Sequence, residues 1–321
     1  MSVLERLGLE VPVIGAGLGG GLSASALTIA IGRAGGLGQI GIVPPARLRT
    51  ELATHRAAQA GPVAANLLLP FARRAHWEAA KAADAVVTFW GAPRRQTEGV
   101  WIHQCGSVGE AKAAAAAGAD AVIVQGVEAG GHVRGTTPAL ALTEQTRAAL
   151  GPNVPVWMAG GVAARADVEA ALAAGAEAVV VGTRFLMSAE SAAHPVYKQR
   201  LVAAEETVLT EMFGAGWPAA PHRVIPNAAT RRWLREDPRG PAWVRTLHRA
   251  TAPLLSRAPV SVIQRAARVQ RPGMPLLGPA AATVGDPDSL LDSGPLYAGQ
   301  CVARIDDIRP AGEIVAELAG R

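Results

Sequence analysis

Short apolar runs that do not alternate with polar residues recur through the first 190 positions of the chain. Eight such runs stand at residues 11–16, 37–42, 63–68, 85–89, 100–104, 121–125, 154–158 and 178–181. Continuous apolar strands are expected where a parallel sheet is covered on both faces. The segments between them, at residues 25–34, 45–59, 71–82, 109–117, 142–149 and 165–174, read as helices. Several are rich in alanine, the residue of highest helix propensity. Two of the junctions are near copies: residues 116–124 run Ala-Ala-Gly-Ala-Asp-Ala-Val-Ile-Val, and residues 173–181 run Ala-Ala-Gly-Ala-Glu-Ala-Val-Val-Val. Gly118 and Gly175 fall where a helix ends in a left-handed residue. Strands alternating with helices imply a parallel sheet with right-handed crossovers, and eight of them predict a closed TIM (β/α)8 barrel over residues 1–190.

The texture changes after residue 190. About half of the 23 prolines and most of the arginine excess fall in the next hundred residues. Helices are expected at 195–213, 227–235, 242–255 and 260–268, giving a mostly helical lid or substrate domain over residues 191–295. Residues 296–321 are expected to return to the barrel through a strand-like or loop piece at 297–305 and an amphipathic helix at 311–318.

Composition narrows the class. Half of the residues are apolar and 18% are charged, too apolar a balance for disorder. Two cysteines, Cys105 and Cys301, exclude a disulfide scaffold and a four-thiolate zinc site, and no metal site is expected. No apolar stretch approaches the roughly 20 residues of a membrane span. The first ten residues carry Glu5 and Arg6 and lack the apolar core of a signal peptide. A cytoplasmic protein is expected. The net charge of +5 is uneven. Residues 223–271 hold eleven arginines, no lysine and two acids, while the rest of the chain is mildly acidic. That segment is either a solvated helical face or an anion-attracting surface bordering a substrate mouth. Aromatics are only 4% of the chain and form no stacking motif, which argues against nucleic acid.

In a barrel of this type the chemistry lies just beyond the C-terminal ends of the strands. Gly160-Gly161 follows the seventh run and Gly182-Thr183 the eighth. Their backbone N–H groups, with no Cβ in the way, and the Thr183 hydroxyl suit a phosphate. Tight turns without a ligand are the alternative. Asn66, Gln104 and Gln125 end three further strands. Their amides offer donors and acceptors together, as the uracil-like edge of a flavin requires, or they satisfy backbone at the barrel end. His132 follows Ala129-Gly130-Gly131, where the glycines let backbone approach a planar ligand. A neutral imidazole there suits a base for a carbon acid.

These residues carry a resemblance. Gln125-Gly-Val-Glu-Ala-Gly-Gly-His132, Met158-Ala-Gly-Gly-Val162 and Val181-Gly-Thr-Arg-Phe-Leu186 resemble the nitronate monooxygenase (2-nitropropane dioxygenase-like) family, as do Val63-Ala-Ala-Asn-Leu67, Ala193-His-Pro-Val-Tyr-Lys198 and Tyr297-Ala-Gly-Gln300. The resemblance implies FMN held by Asn66, Gln125, Gly130, Gly161, Val180, Val181, Gly182 and Thr183, and Gln104 joins them as a cofactor-binding candidate from its place at a strand end. It implies His132 as the base, a nitronate or nitroalkane as substrate, and dioxygen as electron acceptor. Three positions depart from the family pattern: Gly17-Leu18 stands where members often carry Pro-Met, Val133 follows the histidine, and Gln104 stands where some relatives carry lysine. A flavin-dependent enoyl-acyl-carrier-protein (enoyl-thioester) reductase and an NAD(P)H:quinone reductase share the fold. A flavin-free phosphate-binding barrel is the reading from another class.

Overall fold

The computed structural model describes residues 1–255 and 260–321. Residues 256–259, which fall within the arginine-rich stretch, lie outside the described residues. The strands are β1 (Val13–Gly15), β2 (Gly38–Ile40), β3 (Val63–Leu68), β4 (Ala85–Phe89), β5 (Val100–Cys105), β6 (Ala121–Gln125), β7 (Gly131–His132), β8 (Val156–Ala159), β9 (Ala178–Val181), β10 (Val208–Thr210) and β11 (His222–Val224). The helices are α1 (Val3–Arg6), α2 (Ser25–Arg33), α3 (Pro45–Ala57), α4 (Arg74–Ala80), α5 (Val108–Ala116), α6 (Ala139–Leu150), α7 (Arg165–Ala173), α8 (Thr183–Leu186), α9 (Pro195–Val202), α10 (Ala228–Trp233), α11 (Ala242–Leu255), α12 (Val260–Val269), α13 (Ser289–Ser293) and α14 (Ala311–Ala319).

The chain divides into two compact units: residues 1–129, 134–192 and 307–321 form one, and residues 130–133 and 193–306 the other. The first is the expected eight-stranded parallel barrel. Its strands run β1-β9-β8-β6-β5-β4-β3-β2, and a bridge between Ile14 and Leu37 closes β2 onto β1.

Strand alternation sorts the barrel's side chains into two layers. Ile14, Leu37, Ala64, Ala85, Val87, Ile102, Ile123, Trp157 and Val180 fill the interior. Val3 of α1 and Leu7 just after it join that cluster. Intervening residues face the helices, as Ile40, Val63 and Val86 do against α3 and α4, and Val179 and Val181 against α2, α7 and α14. The final helix is expected from the sequence and packs Ile314, Val315 and Leu318 into that outer layer.

The second unit holds more sheet than its sequence suggests. The helix expected over 195–213 ends at Val202, and β10 and β11 follow it. These two strands and β7 form an antiparallel sheet, ordered β10-β11-β7. The piece expected to be strand-like or loop at 297–305 contains a 3-10 turn at Gln300–Arg304. A core of Met212, Phe213, Val224, Ala229, Val244 and Leu277 holds this unit together.

Candidate active site

The same alternation identifies a polar layer at the C-terminal end of the barrel interior. Two residues beyond the interior Leu37, Ala64, Ile102 and Ile123 stand Gln39, Asn66, Gln104 and Gln125. Four amides thus cap an apolar interior on four strands. Asn66 and Gln125 are buried and Gln104 is partly open. Gln39 is the member that sequence reasoning missed. It is 2% exposed, and the Asn66 Nδ2 donates to its Oε1 at 3.3 Å. Gln125 Oε1 accepts from the Arg134 backbone N–H at 3.1 Å, which fixes the chain as it re-enters the barrel unit.

The loop after β1 closes tightly on this layer. A Cβ at Gly17 would stand 2.4 Å from the Asn66 Cβ, and a Cβ at Gly41 would stand 1.8 Å from the Leu18 carbonyl oxygen. Ser23 fastens the same loop, its Oγ accepting from the Leu18 N–H at 2.9 Å and donating to the Gln39 carbonyl at 2.9 Å. Gly17, part of a departure from the family pattern, therefore has a steric reason here.

The two glycine turns sit as expected at the ends of β8 and β9. Gly160 and Gly161 have φ of +113° and +78°, a backbone shape that side chains strain. Glu128 backs this turn, with its Cγ 3.3 Å from where a Gly161 Cβ would be. Its Oε1 accepts from the Ala139 N–H at the start of α6, 2.8 Å away. A Cβ at Gly182 would meet nothing nearer than 3.8 Å. Val180 faces the interior, whereas the Val181 side chain faces the helices, so only the Val181 backbone is available to a ligand. Behind Thr183, the buried Arg184 pairs with Asp307 at 2.5 Å. Asp307 also pairs with Arg309, which anchors the last segment of the chain beneath the turn.

Gly130 and His132 belong to the second unit. Glycine at 130 is required by the chain's own packing, because a Cβ would stand 2.5 Å from the Gly299 backbone N. His132 pairs in register with His222 across β7 and β11. Its ring stacks on Trp217 at 3.9 Å between centroids and lies 5.7 Å from the Tyr297 ring. Burial, with the neighbouring His222 second, holds the His132 imidazole well below the usual histidine range. It is therefore neutral at ordinary pH. His222 is buried too, its Nδ1 donating to the Ala220 carbonyl at 3.0 Å and its Nε2 accepting from the Phe213 N–H at 3.2 Å. Burial lowers its pKa to about 4. Trp217 and His222 carried no sequence signal of their own, and Tyr297 only its place in the Tyr297-Ala-Gly-Gln300 motif; the pairing of β7 with β11 brings His222 to His132, and a bridge to Val224 sets Tyr297 beside them.

The arginine-rich stretch is not uniform. Arg223 is buried, Arg245 pairs with Asp237, and Arg268 pairs with Asp286. Arg231 and Arg232 are exposed on α10, with the Arg232 guanidinium 5.6 Å from the Trp233 ring centroid.

Comparison with known proteins decides the family. Residues 92–320 match the sequence pattern of nitronate monooxygenases. The chain belongs to the nitronate monooxygenase family. It is 30% identical over 282 residues to a Pseudomonas aeruginosa nitronate monooxygenase, covering 70% of this chain and 80% of that protein. It is 33% identical over 240 residues to a Mycobacterium tuberculosis (3aS,4S,5R,7aS)-5-hydroxy-7a-methyl-1-oxo-octahydro-1H-indene-4-carboxyl-CoA dehydrogenase, covering 69% of this chain and 64% of that protein. The barrel architecture is shared with FabK from Thermotoga maritima, with a TM-score of 0.77 and 29% identity over 98% of this chain and 94% of that one. Nitronate monooxygenases are FMN-dependent oxidoreductases, and so is this member of the family.

The barrel end fits that cofactor. Gln39 Nε2 is a buried donor with no partner among the described residues. A Cβ at Gly182 would make only ordinary contacts, at 3.8 Å and beyond, and Gly160 and Gly161 hold left-handed backbone that only glycine adopts without strain. An amide-rich layer for the ring and two glycine turns for the phosphate are the chemistry FMN needs. Among the described residues no cluster of metal-ligating side chains occurs, and no helix is long and apolar enough to cross a membrane.

Proposed function

We propose that this protein oxidises nitronates and nitroalkanes with dioxygen, and that His132 is its base. The observation that carries the reading is the neutral imidazole of His132, stacked on Trp217 and fixed in β7 opposite His222. A nitroalkane has a weakly acidic C–H next to the nitro group. A neutral histidine can take that proton, and the nitro oxygens then carry the charge. When bound, FMN supplies a two-electron acceptor that can pass electrons on to dioxygen.

The chain's own residues supply positioning and electrostatics. Asn66, Gln104 and Gln125 would hold the ring's polar edge, and Gly161, the Val180–Gly182 backbone and Thr183 the phosphate end. Gly130 would let the His132 strand lie close to the backbone of Ala298 and Gly299. Burial keeps water away from His132 and keeps it unprotonated, which suits it to act as a base rather than as an acid. The substrate is a small molecule; neither a nucleic acid nor a membrane partner is proposed, and the cytoplasm is the proposed location.

A second reading is reduction of an enoyl thioester by NAD(P)H. It is favoured by Arg231, Arg232, Arg235 and Arg249, which are exposed and have no carboxylate partner among the described residues. Such a surface attracts an anionic carrier or a coenzyme A tail. The deciding experiment is anaerobic reduction of the bound flavin, with a nitronate in one sample and NAD(P)H in another. Bleaching by the nitronate alone supports the first reading. Bleaching by NAD(P)H alone replaces it with the second.

A further inference from the structure

Gln39 carries an open polar group that the rest of the barrel does not explain. It is the middle residue of β2, the strand beside that of Asn66, and alternation with the outward-facing Ile40 turns its side chain inward. The residue is 2% exposed, and its Oε1 accepts from Asn66 Nδ2 at 3.3 Å. Its Nε2 is buried and has no acceptor among the described residues. Reversing both amides would keep the Asn66 bond and still leave one polar atom of Gln39 open. The backbone that carries it is also held in place. The Gln39 carbonyl accepts from Ser23, and Gly41 lies hard against the Leu18 carbonyl. Buried amide donors are seldom left unpaired, because an unmade hydrogen bond is costly. An open donor at the C-terminal mouth of a barrel, beside three other amides, points to a ligand acceptor.

We propose that Gln39 is a flavin-binding residue whose side-chain NH2 donates a hydrogen bond to an acceptor atom of the isoalloxazine ring. The inference rests on the FMN reading of the barrel. Asn66 orients Gln39 by donating to its oxygen, so the pair acts as one unit with the NH2 outward. An amide donor facing the ring favours the electron-rich reduced form over the oxidised one.

The test compares Gln39→Met and Gln39→Glu with the unaltered holoenzyme. Met keeps the volume and removes the amide. Glu keeps the acceptor for Asn66 and removes the donor. Flavin release on dilution is followed by the fluorescence of free FMN, and folding by far-ultraviolet circular dichroism. The Met variant is expected to hold FMN about tenfold more weakly, equivalent to about 1.4 kcal/mol. The Glu variant is expected to be weaker still, because a carboxylate presents only acceptors to the ring's acceptors. The thermal midpoint of the flavin-stripped protein is expected to change little in the Met variant. If both folded variants retain FMN as tightly as the parent, the proposal is overturned. If Glu alone binds as the parent does, the donor role is overturned. If the stripped Met variant is strongly destabilised while its FMN affinity is unchanged, Gln39 is structural and the proposal is again overturned. If the parent itself binds no FMN, it is the barrel's cofactor reading that fails, which distinguishes the two.

Discussion

Acidification is expected to loosen the second unit through His222, and the size of the effect follows from its surroundings. The neutral ring is fully satisfied, with Nδ1–H donating to Ala220 and Nε2 accepting from the Phe213 N–H. A proton on Nε2 would set two donors against each other in a fully buried site. The folded pKa is accordingly about 4, against 6.5 for an ordinary histidine. The unfolded chain therefore takes up its proton first. This contribution to stability is fully present above pH 6.5 and is lost as the pH falls from 6.5 toward 4. Moving from pH 7.5 to pH 5 should remove about 2 kcal/mol by this route, an order-of-magnitude figure from linkage. His103 in the barrel, also lowered to about 4 by burial, adds a similar dependence in the other unit. A global unfolding curve would mix these with His55, His132 and His248, whose pKa values burial also lowers, so hydrogen exchange of peptides spanning residues 208–224 in the parent and in a His222 variant is the suitable assay. His222→Gln is the control, since it can donate and accept but does not titrate. His132 and His248 titrate alike in both proteins, so between pH 7.5 and pH 5 protection of this segment should fall roughly thirtyfold further in the parent than in the variant, after correction for intrinsic exchange. Equal pH dependence in the two proteins would refute the reasoning.

Other expectations concern the barrel and the base. Gly182→Ala should fold normally, because its Cβ meets nothing within 3.8 Å, yet release FMN about tenfold more readily; an unchanged affinity would remove this turn from the phosphate site. Gly41→Ala should cost at least about 2 kcal/mol of stability by denaturant unfolding, since its Cβ would fall 1.8 Å from the Leu18 carbonyl oxygen. The kcat/KM for a neutral nitroalkane should be flat above pH 6.5, with any acid limb below that value, because burial lowers the His132 pKa; a limb near pH 7 or higher would contradict the neutral base.

The barrel was legible because parallel strands buried on both faces leave unbroken apolar runs. The Gly160-Gly161 turn was legible because only glycine suits φ of +113° and +78°. Asn66, Gln104 and Gln125 stood out as polar ends to apolar strands. Gln39 has the same character, but it lies between Gly38 and Gly41 in a strand of three residues, too short for its inward face to be read without its neighbours. The β7–β11 pairing was hidden for a related reason. Two-residue β7 has no periodicity, and its partner His222 lies ninety positions away. The segment expected as one helix over 195–213 breaks after Val202, and Val208–Thr210 form an edge strand instead. Val208 faces the same small core as Val224, so tertiary packing overrides local preference there.

The central claim is that a neutral His132 removes a substrate proton in an FMN enzyme. Its most direct test is anaerobic mixing of the parent and of His132→Asn with a neutral nitroalkane and, separately, with the preformed nitronate, reading flavin bleaching at about 450 nm. The parent should be bleached by both. The variant should lose at least about a hundredfold in rate with the nitroalkane and keep its rate with the nitronate within a few-fold. Equal rates for parent and variant with the neutral nitroalkane would contradict the account.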